Sequence, residues 1–219
     1  MTARRVLIAL GVLALSACAN RPPVPDWQAN AKASSERAVA AYLVGNARVE
    51  AAELARARSE VGRTGRADLL ARVELAQCAA RVASLVFGPC EAFEPLRADA
   101  GAAERAYADH LRAPSRQEAR APVSALLPEP QRAVAANAAA LAGVADPLSR
   151  LVAAGVLFQA GRADPAAIAL AVDTASAQGW RRPLLAWLGV QLWRAEQAGA
   201  ADEALALRRR IARVEASAG

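Results

Sequence analysis

Residues 146–179 read DPLSRLVAAGVLFQAGRADPAAIALAVDTASAQG, and this stretch decides the fold class. Asp146-Pro147 and Asp164-Pro165 each place a capping acid before a proline suited to the first helical position. Gly161 and Gly179 stand where a left-handed residue closes a helix. The stretch therefore predicts helices at about 147–160 and 165–178. Leu148, Leu151, Val152, Gly155 and Phe158 share one face of the first. Further along, Pro183 opens a helix that Gly199 ends, and a last helix covers about 201–216. Leu184, Trp187, Leu188 and Leu192 stripe the former; Ala204, Leu207, Ile211 and Val214 stripe the latter. Short links between amphipathic helices make neighbours antiparallel, so the expected architecture is all-α, a stack of antiparallel helical hairpins.

Composition agrees. The 219 residues include 61 Ala and 26 Arg, both strong helix formers, and alternating β-branched runs of strand length are missing. The length suits one domain or two small ones, and the scattered Gly and Pro exclude collagen-like and low-complexity classes. In the first half, helices are expected near 26–44, 47–61, 67–86, 92–111 and 130–142. Prolines 114, 122, 128 and 130 crowd the segment 112–130, which reads as a loop or linker between an N-terminal helical part, 26–111, and a C-terminal part, 131–219.

The chain begins with an address. Arg4 and Arg5 precede an apolar run at 6–15, and Ser16 and Ala17 follow before Cys18. This is the order of a signal peptide, here 1–17, and its apolar run falls well short of the roughly 20 residues that span a bilayer. Leu15-Ser16-Ala17-Cys18 resembles the lipobox of bacterial lipoproteins, which implies cleavage before Cys18 and acylation of that cysteine. Residues 18–25, with Pro22, Pro23 and Pro25, read as an extended tether. In enteric lipoproteins an Asp after the lipidated Cys retains the protein in the inner membrane. Ala19 stands there instead, which by resemblance implies the periplasmic face of the outer membrane. Loss of Arg4 and Arg5 leaves 25 basic and 21 acidic residues, an excess of +4. Such a mild excess is not a nucleic-acid footprint, and no basic stripe with interleaved aromatics occurs.

The C-terminal portion is similar to tetratricopeptide-type helical repeats. Ala154, Leu157, Phe158, Gly161, Ala166 and Leu170 follow their order of small residue, bulky residues, turn glycine, small residue and bulky residue, and Gly199 with residues 202–205 repeats the later part. The spacing from Gly161 to Gly199 is 38 residues against a family period of 34. Tyr42, Gly45 and Ala51 carry a fainter version. The resemblance implies a protein-binding array.

Few residues offer chemistry. Cys78 and Cys90 are the cysteines left after Cys18, and in an oxidising compartment they predict a disulfide. A helix carrying Cys78 to Phe87 would rise about 14 Å, and three extended residues return about 10 Å. The helix must therefore end by Val86, with the chain doubling back through Gly88-Pro89. His110 is the single imidazole, placed where it suits a helix C-terminus, and neither a Cys-His nucleophile nor a metal site is expected. Glu91 and Glu94 read as solvated caps, and Arg208-Arg209-Arg210 as a solvated helical face. Phosphate-loop, dinucleotide and zinc-protease spacings do not occur. No cofactor is expected.

Trp180-Arg181-Arg182-Pro183 is the sharpest local feature, with Trp187 and Trp193 close behind. Trp and Arg are enriched at interface hot spots, which makes Trp180, Arg181, Arg182 and Trp193 the candidate partner-binding residues. Trp187 shares the stripe of Leu184 and Leu188. Trp193 points about 120° away from it, so the two face different surroundings. The expected function is a non-catalytic, lipid-anchored scaffold that binds an envelope protein. The alternatives are a carrier or sensor of an apolar small molecule between helices, and an envelope-remodelling enzyme.

Overall fold

The computed structural model describes residues 25–112 and 125–217. Among them no strand occurs, and nine α-helices pack on one another: α1 Asp26–Val44, α2 Ala47–Gly62, α3 Ala67–Ala83, α4 Ala102–Leu111, α5 Glu129–Ala136, α6 Pro147–Gln159, α7 Pro165–Ala177, α8 Arg181–Gln197 and α9 Ala201–Ala216. Successive helices pair as hairpins, α1 with α2, α6 with α7, α7 with α8, and α8 with α9, while α3 lies against both the first hairpin and α6. The fold is an all-α helical array.

Local chemistry sets the boundaries. Asp146 accepts from the Ser149 amide and Asp164 from the Ala167 amide, each at 2.7 Å, as N-cap acids do. Gly161, Gly179 and Gly199 take φ values of 68°, 65° and 69° after their helices. Three expected limits move. The helix expected at 92–111 is broken: a 3₁₀ turn at Glu94–Leu96 comes first, and α4 starts only after Gly101. Pro95 fits the start of that short turn but removes the donor a longer helix would need. The helix expected at 130–142 stops at Asn137, whose extended backbone and side chain, accepting from the Ala139 amide at 3.1 Å, begin a 3₁₀ segment at Ala138–Gly143. α3 ends at Ala83, before Val86. Leu85 adopts a left-handed φ of 58°, and the Val86 amide donates back to the Arg81 carbonyl at 2.9 Å.

The main core spans the proline-rich segment, of which residues 113–124 lie outside the described residues. Leu75, Val82, Phe93 and Leu111 before it join Val134, Leu151, Val172, Trp187 and Leu207 after it in one apolar cluster. Two contacts fix α3 within this core. A Cβ on Gly155 would collide with the Val82 carbonyl, so α6 crosses α3 at backbone distance. Trp187 is fully buried, and its Nε1 donates to the Ala83 carbonyl at 3.1 Å, capping the open end of α3 from a residue 104 positions away.

In the tetratricopeptide-like stretch, Ala154 is fully buried and Leu157 nearly so, but Ala166 is exposed. Ala171 and Ala175 are the small residues fully buried on α7.

Candidate functional site

A concavity forms where α2, α3 and the loop at 84–93 meet. Cys78 on α3 is bonded to Cys90 in that loop, with the Cα atoms 5.6 Å apart. The helix ends early enough, and the chain doubles back through Gly88-Pro89. Phe93 enters the core beyond the disulfide and anchors the loop, while Val86 and Phe87 stay 51% and 36% exposed at its tip. Phe87 also stacks on Phe158 of α6, with ring centroids 6.4 Å apart.

The resulting groove has a volume of about 490 Å³, and its walls include Leu54, Arg58, Glu74, Gln77, Arg81 and Phe87. Arg58 Nε and Nη2 donate to the two Glu74 carboxylate oxygens at 2.6 and 2.7 Å. That bidentate pair satisfies a buried carboxylate and holds the Arg58 guanidinium above its ordinary pKa. Gln77 is also buried, at 4% exposure, yet neither its amide nitrogen nor its amide oxygen has a hydrogen-bond partner among the described residues.

The Trp180-Arg181-Arg182 motif works beside this groove. Arg182 lies over the Tyr42 ring at 4.3 Å, and its Nη1 stands 3.5 Å from Glu50 Oε2. Arg81 approaches the same ring at 5.2 Å and Glu50 Oε1 at 3.5 Å. Glu50 is thus a buried carboxylate on α2 shared by guanidinium groups from α3 and α8. Arg181 covers the α1–α2 turn so closely that a Cβ on Gly45 would collide with its guanidinium, and Gly45 has a φ of 87°. Trp180 is partly buried against both the main core and the cluster of Val39, Tyr42 and Leu43. The four candidate partner-binding residues therefore divide: Trp180, Arg181 and Arg182 face the first hairpin, and Trp193 is 58% exposed. Trp180 and Trp193 lie about 20 Å apart along α8.

His110 lies near the C-terminal end of α4, its Nε2 3.3 Å from Gln131 Oε1 and its ring stacked on Tyr107. Burial holds its imidazole below the ordinary histidine pKa, opposed by the Gln131 hydrogen bond. Burial likewise pushes the Tyr107 phenol up. A hollow of about 310 Å³ beside His110 is lined chiefly by Val134, Ala153, Val156 and Leu157.

Glu94 pairs with Arg97, which also reaches Asp109 at 3.0 Å, and Glu91 is exposed. Arg208 pairs with Glu196 at 2.5 Å, and Arg210 donates to Ser176 Oγ. Cys18 lies outside the described residues. Among those residues no three His, Cys, Asp or Glu side chains gather in a metal-holding group, and no helix is long and apolar enough to cross a membrane.

Sequence reasoning missed Tyr42, Glu50 and Gln77. A signal exists for Gln77: with Glu74 it interrupts an otherwise apolar run, residues 73–80, on the most enclosed helix. Periodicity gives no signal for Glu50, which meets Arg182 from 132 positions away.

No family model matches the chain, and no curated protein or solved structure is significantly similar to it.

Proposed function

We propose that this chain is a lipid-anchored scaffold at the periplasmic face of the outer membrane, binding or assembling envelope proteins through its helical hairpins without catalysis of its own. The lipobox ending at Cys18 and the proline-rich tether support the anchor. The similarity to tetratricopeptide repeats, together with the glycine-capped hairpins α6 to α9, supports the binding role. The observation that carries the reading is the exposure of Trp193. Trp187 on the same helix is fully buried, whereas Trp193 is 58% exposed, and Leu205 on α9 is 50% exposed. Both side chains lie six residues from Gly199, which brings these two exposed apolar groups to the same level of the antiparallel hairpin.

Cross-linking and recovery of the lipidated protein from native envelopes tests this. Wild type should recover a defined set of envelope proteins. Trp193→Ala should reduce that recovery at least tenfold without lowering the melting temperature, since little burial is lost. Cys18→Ser should move the protein from membranes to the soluble periplasm. Unchanged recovery by Trp193→Ala would remove the hairpin edge from the account, and continued membrane residence of Cys18→Ser would refute the anchor.

The hollow beside His110 favours a second reading, carriage of an apolar small molecule. Val156→Trp should fill it and abolish uptake of an apolar fluorescent probe.

A further inference from the structure

We propose that the groove between α2, α3 and the disulfide-closed loop receives a short extended stretch of polypeptide, one residue of which pairs its main-chain N–H and C=O with Gln77 while an apolar side chain rests on Leu54, Val86 and Phe87. The ligand class rests on the protein-binding reading. The place is new, and it is separate from the Trp193 edge.

The argument starts from an amide in the wrong surroundings. α3 is covered on nearly all sides, and residues 73–83 are buried except for Ala76 and Arg81. A leucine or methionine at position 77 would fill that space with no polar group to satisfy. Gln77 instead buries an amide whose donor and acceptor both lack partners among the described residues, which weakens the fold. The other buried or half-buried polar side chains of the walls are already committed. Glu74 takes both hydrogen bonds from Arg58, and Arg81 is held by Tyr42 and Glu50. Gln77 is left as the buried polar side chain of the groove with hydrogen-bonding capacity to give away.

That capacity selects the ligand. A glutamine side chain presents a carbonyl and an NH₂ side by side, and one residue of an extended chain presents its own N–H and C=O on the same edge. One such residue in the groove can satisfy both. It must come from an extended segment, because a helix already uses its own main-chain groups. A lipid chain offers no donor or acceptor. A glycan would pair its many hydroxyls only where several polar side chains were open to it, and here the rim is apolar, with Val86 and Phe87 exposed. Arg58 pairs with Glu74 and Arg81 with Glu50, while Glu91 stands exposed in the loop without an opposite charge among the described residues, so the segment they favour is apolar and carries no acidic group. Gln77 lines the groove with its amide atoms closed to solvent, so the ligand reaches them only when a neighbouring side chain turns aside. The Cys78–Cys90 bond keeps that rim in place.

The test is a selection of random twelve-residue peptides displayed on phage against the full lipidated protein in detergent, followed by affinity measurement with the synthetic peptides. Apolar, weakly charged peptides should be enriched. Their affinity should fall at least tenfold on Gln77→Leu, while the melting temperature of that variant stays the same or rises. N-methylation of the residue whose N–H meets Gln77 should cost at least as much on the unaltered protein, so the answer does not depend on the variant folding. Trp193→Ala should bind these peptides normally. Equal affinity for Gln77→Leu and unaltered protein would overturn the groove assignment and leave the Trp193 edge standing. Failure to enrich any peptide, with Gln77-dependent retention on purified peptidoglycan glycan strands, would overturn it in favour of a sugar ligand.

Discussion

The first hairpin and the rest of the molecule are held together by different forces. From α3 to α9 a single apolar cluster runs through the structure, with Trp187 and Phe93 at its centre. None of its residues comes from α1 or α2. Those two helices meet the body in two small clusters, Ala31, Ala57 and Val61 with Val73 of α3, and Val39, Tyr42 and Leu43 with Ala80 of α3, the second also packed by Leu148 and Trp180. Their other joints to the body are ionic, Glu50 to Arg81 and Arg182 and Arg58 to Glu74, while Arg37 pairs with Glu53 at 2.9 Å within the hairpin and holds the Glu53 carboxyl below its usual pKa. Burial of large apolar side chains outweighs partly exposed ion pairs several-fold in stability. The difference teaches that the array forms the stable body and the first hairpin is a clipped-on layer. The binding groove lies along the seam between them.

The largest expected effect comes from breaking the body. Trp187→Ala removes the fully buried indole and its bond to the Ala83 carbonyl, and should cost about 3–5 kcal/mol in urea unfolding. Next comes the joint replacement of Cys78 and Cys90 by serine. Opening a loop with a sequence separation of 12 should cost about 3 kcal/mol. It should also loosen the Val86–Phe87 rim, seen as faster proteolysis within 84–93.

Much of the body was legible in the sequence, and the clip was not. Asp146-Pro147 and Asp164-Pro165 are local signals, and the helices begin where capping chemistry puts them. The disulfide could be reasoned from rise per residue and the reach of Gly88-Pro89. The helix expected at 92–111 failed because the pattern was followed through Pro95 and Gly101, both of which punctuate the chain. Tyr42, Glu50 and Arg182 were out of reach for another reason. Periodicity shows which face of a helix is buried but not which distant helix covers it, and polar clips carry no periodic signature. The Trp180-Arg181-Arg182 motif stood out in the sequence, yet only the packing shows that it turns toward α1 and α2.

Two smaller effects sharpen the contrast. Glu50→Gln should leave urea unfolding of the body nearly unchanged while raising limited proteolysis of α1 and α2 about fivefold. That matches roughly 1 kcal/mol for a shared, partly exposed pair, and added salt should shrink the difference. The smallest effect belongs to His110. Its folded pKa lies below its unfolded value, so the unfolded chain binds the extra proton first as pH falls through about 6.5. Stability should therefore be full above that pH and decline below it, and His110→Gln should flatten this part of the profile. The acidic pairs, including Glu53, Asp68 and Glu94, whose carboxyls are held low, lose their contribution only at lower pH.

Native-state hydrogen exchange of the intact protein tests the division of the molecule most directly. The amides of α1 and α2 should exchange through an opening that leaves α3 and α6 to α8 protected, and the free energy of that opening should fall with added salt. Exchange of all these helices through one common, salt-independent unfolding event would contradict the account.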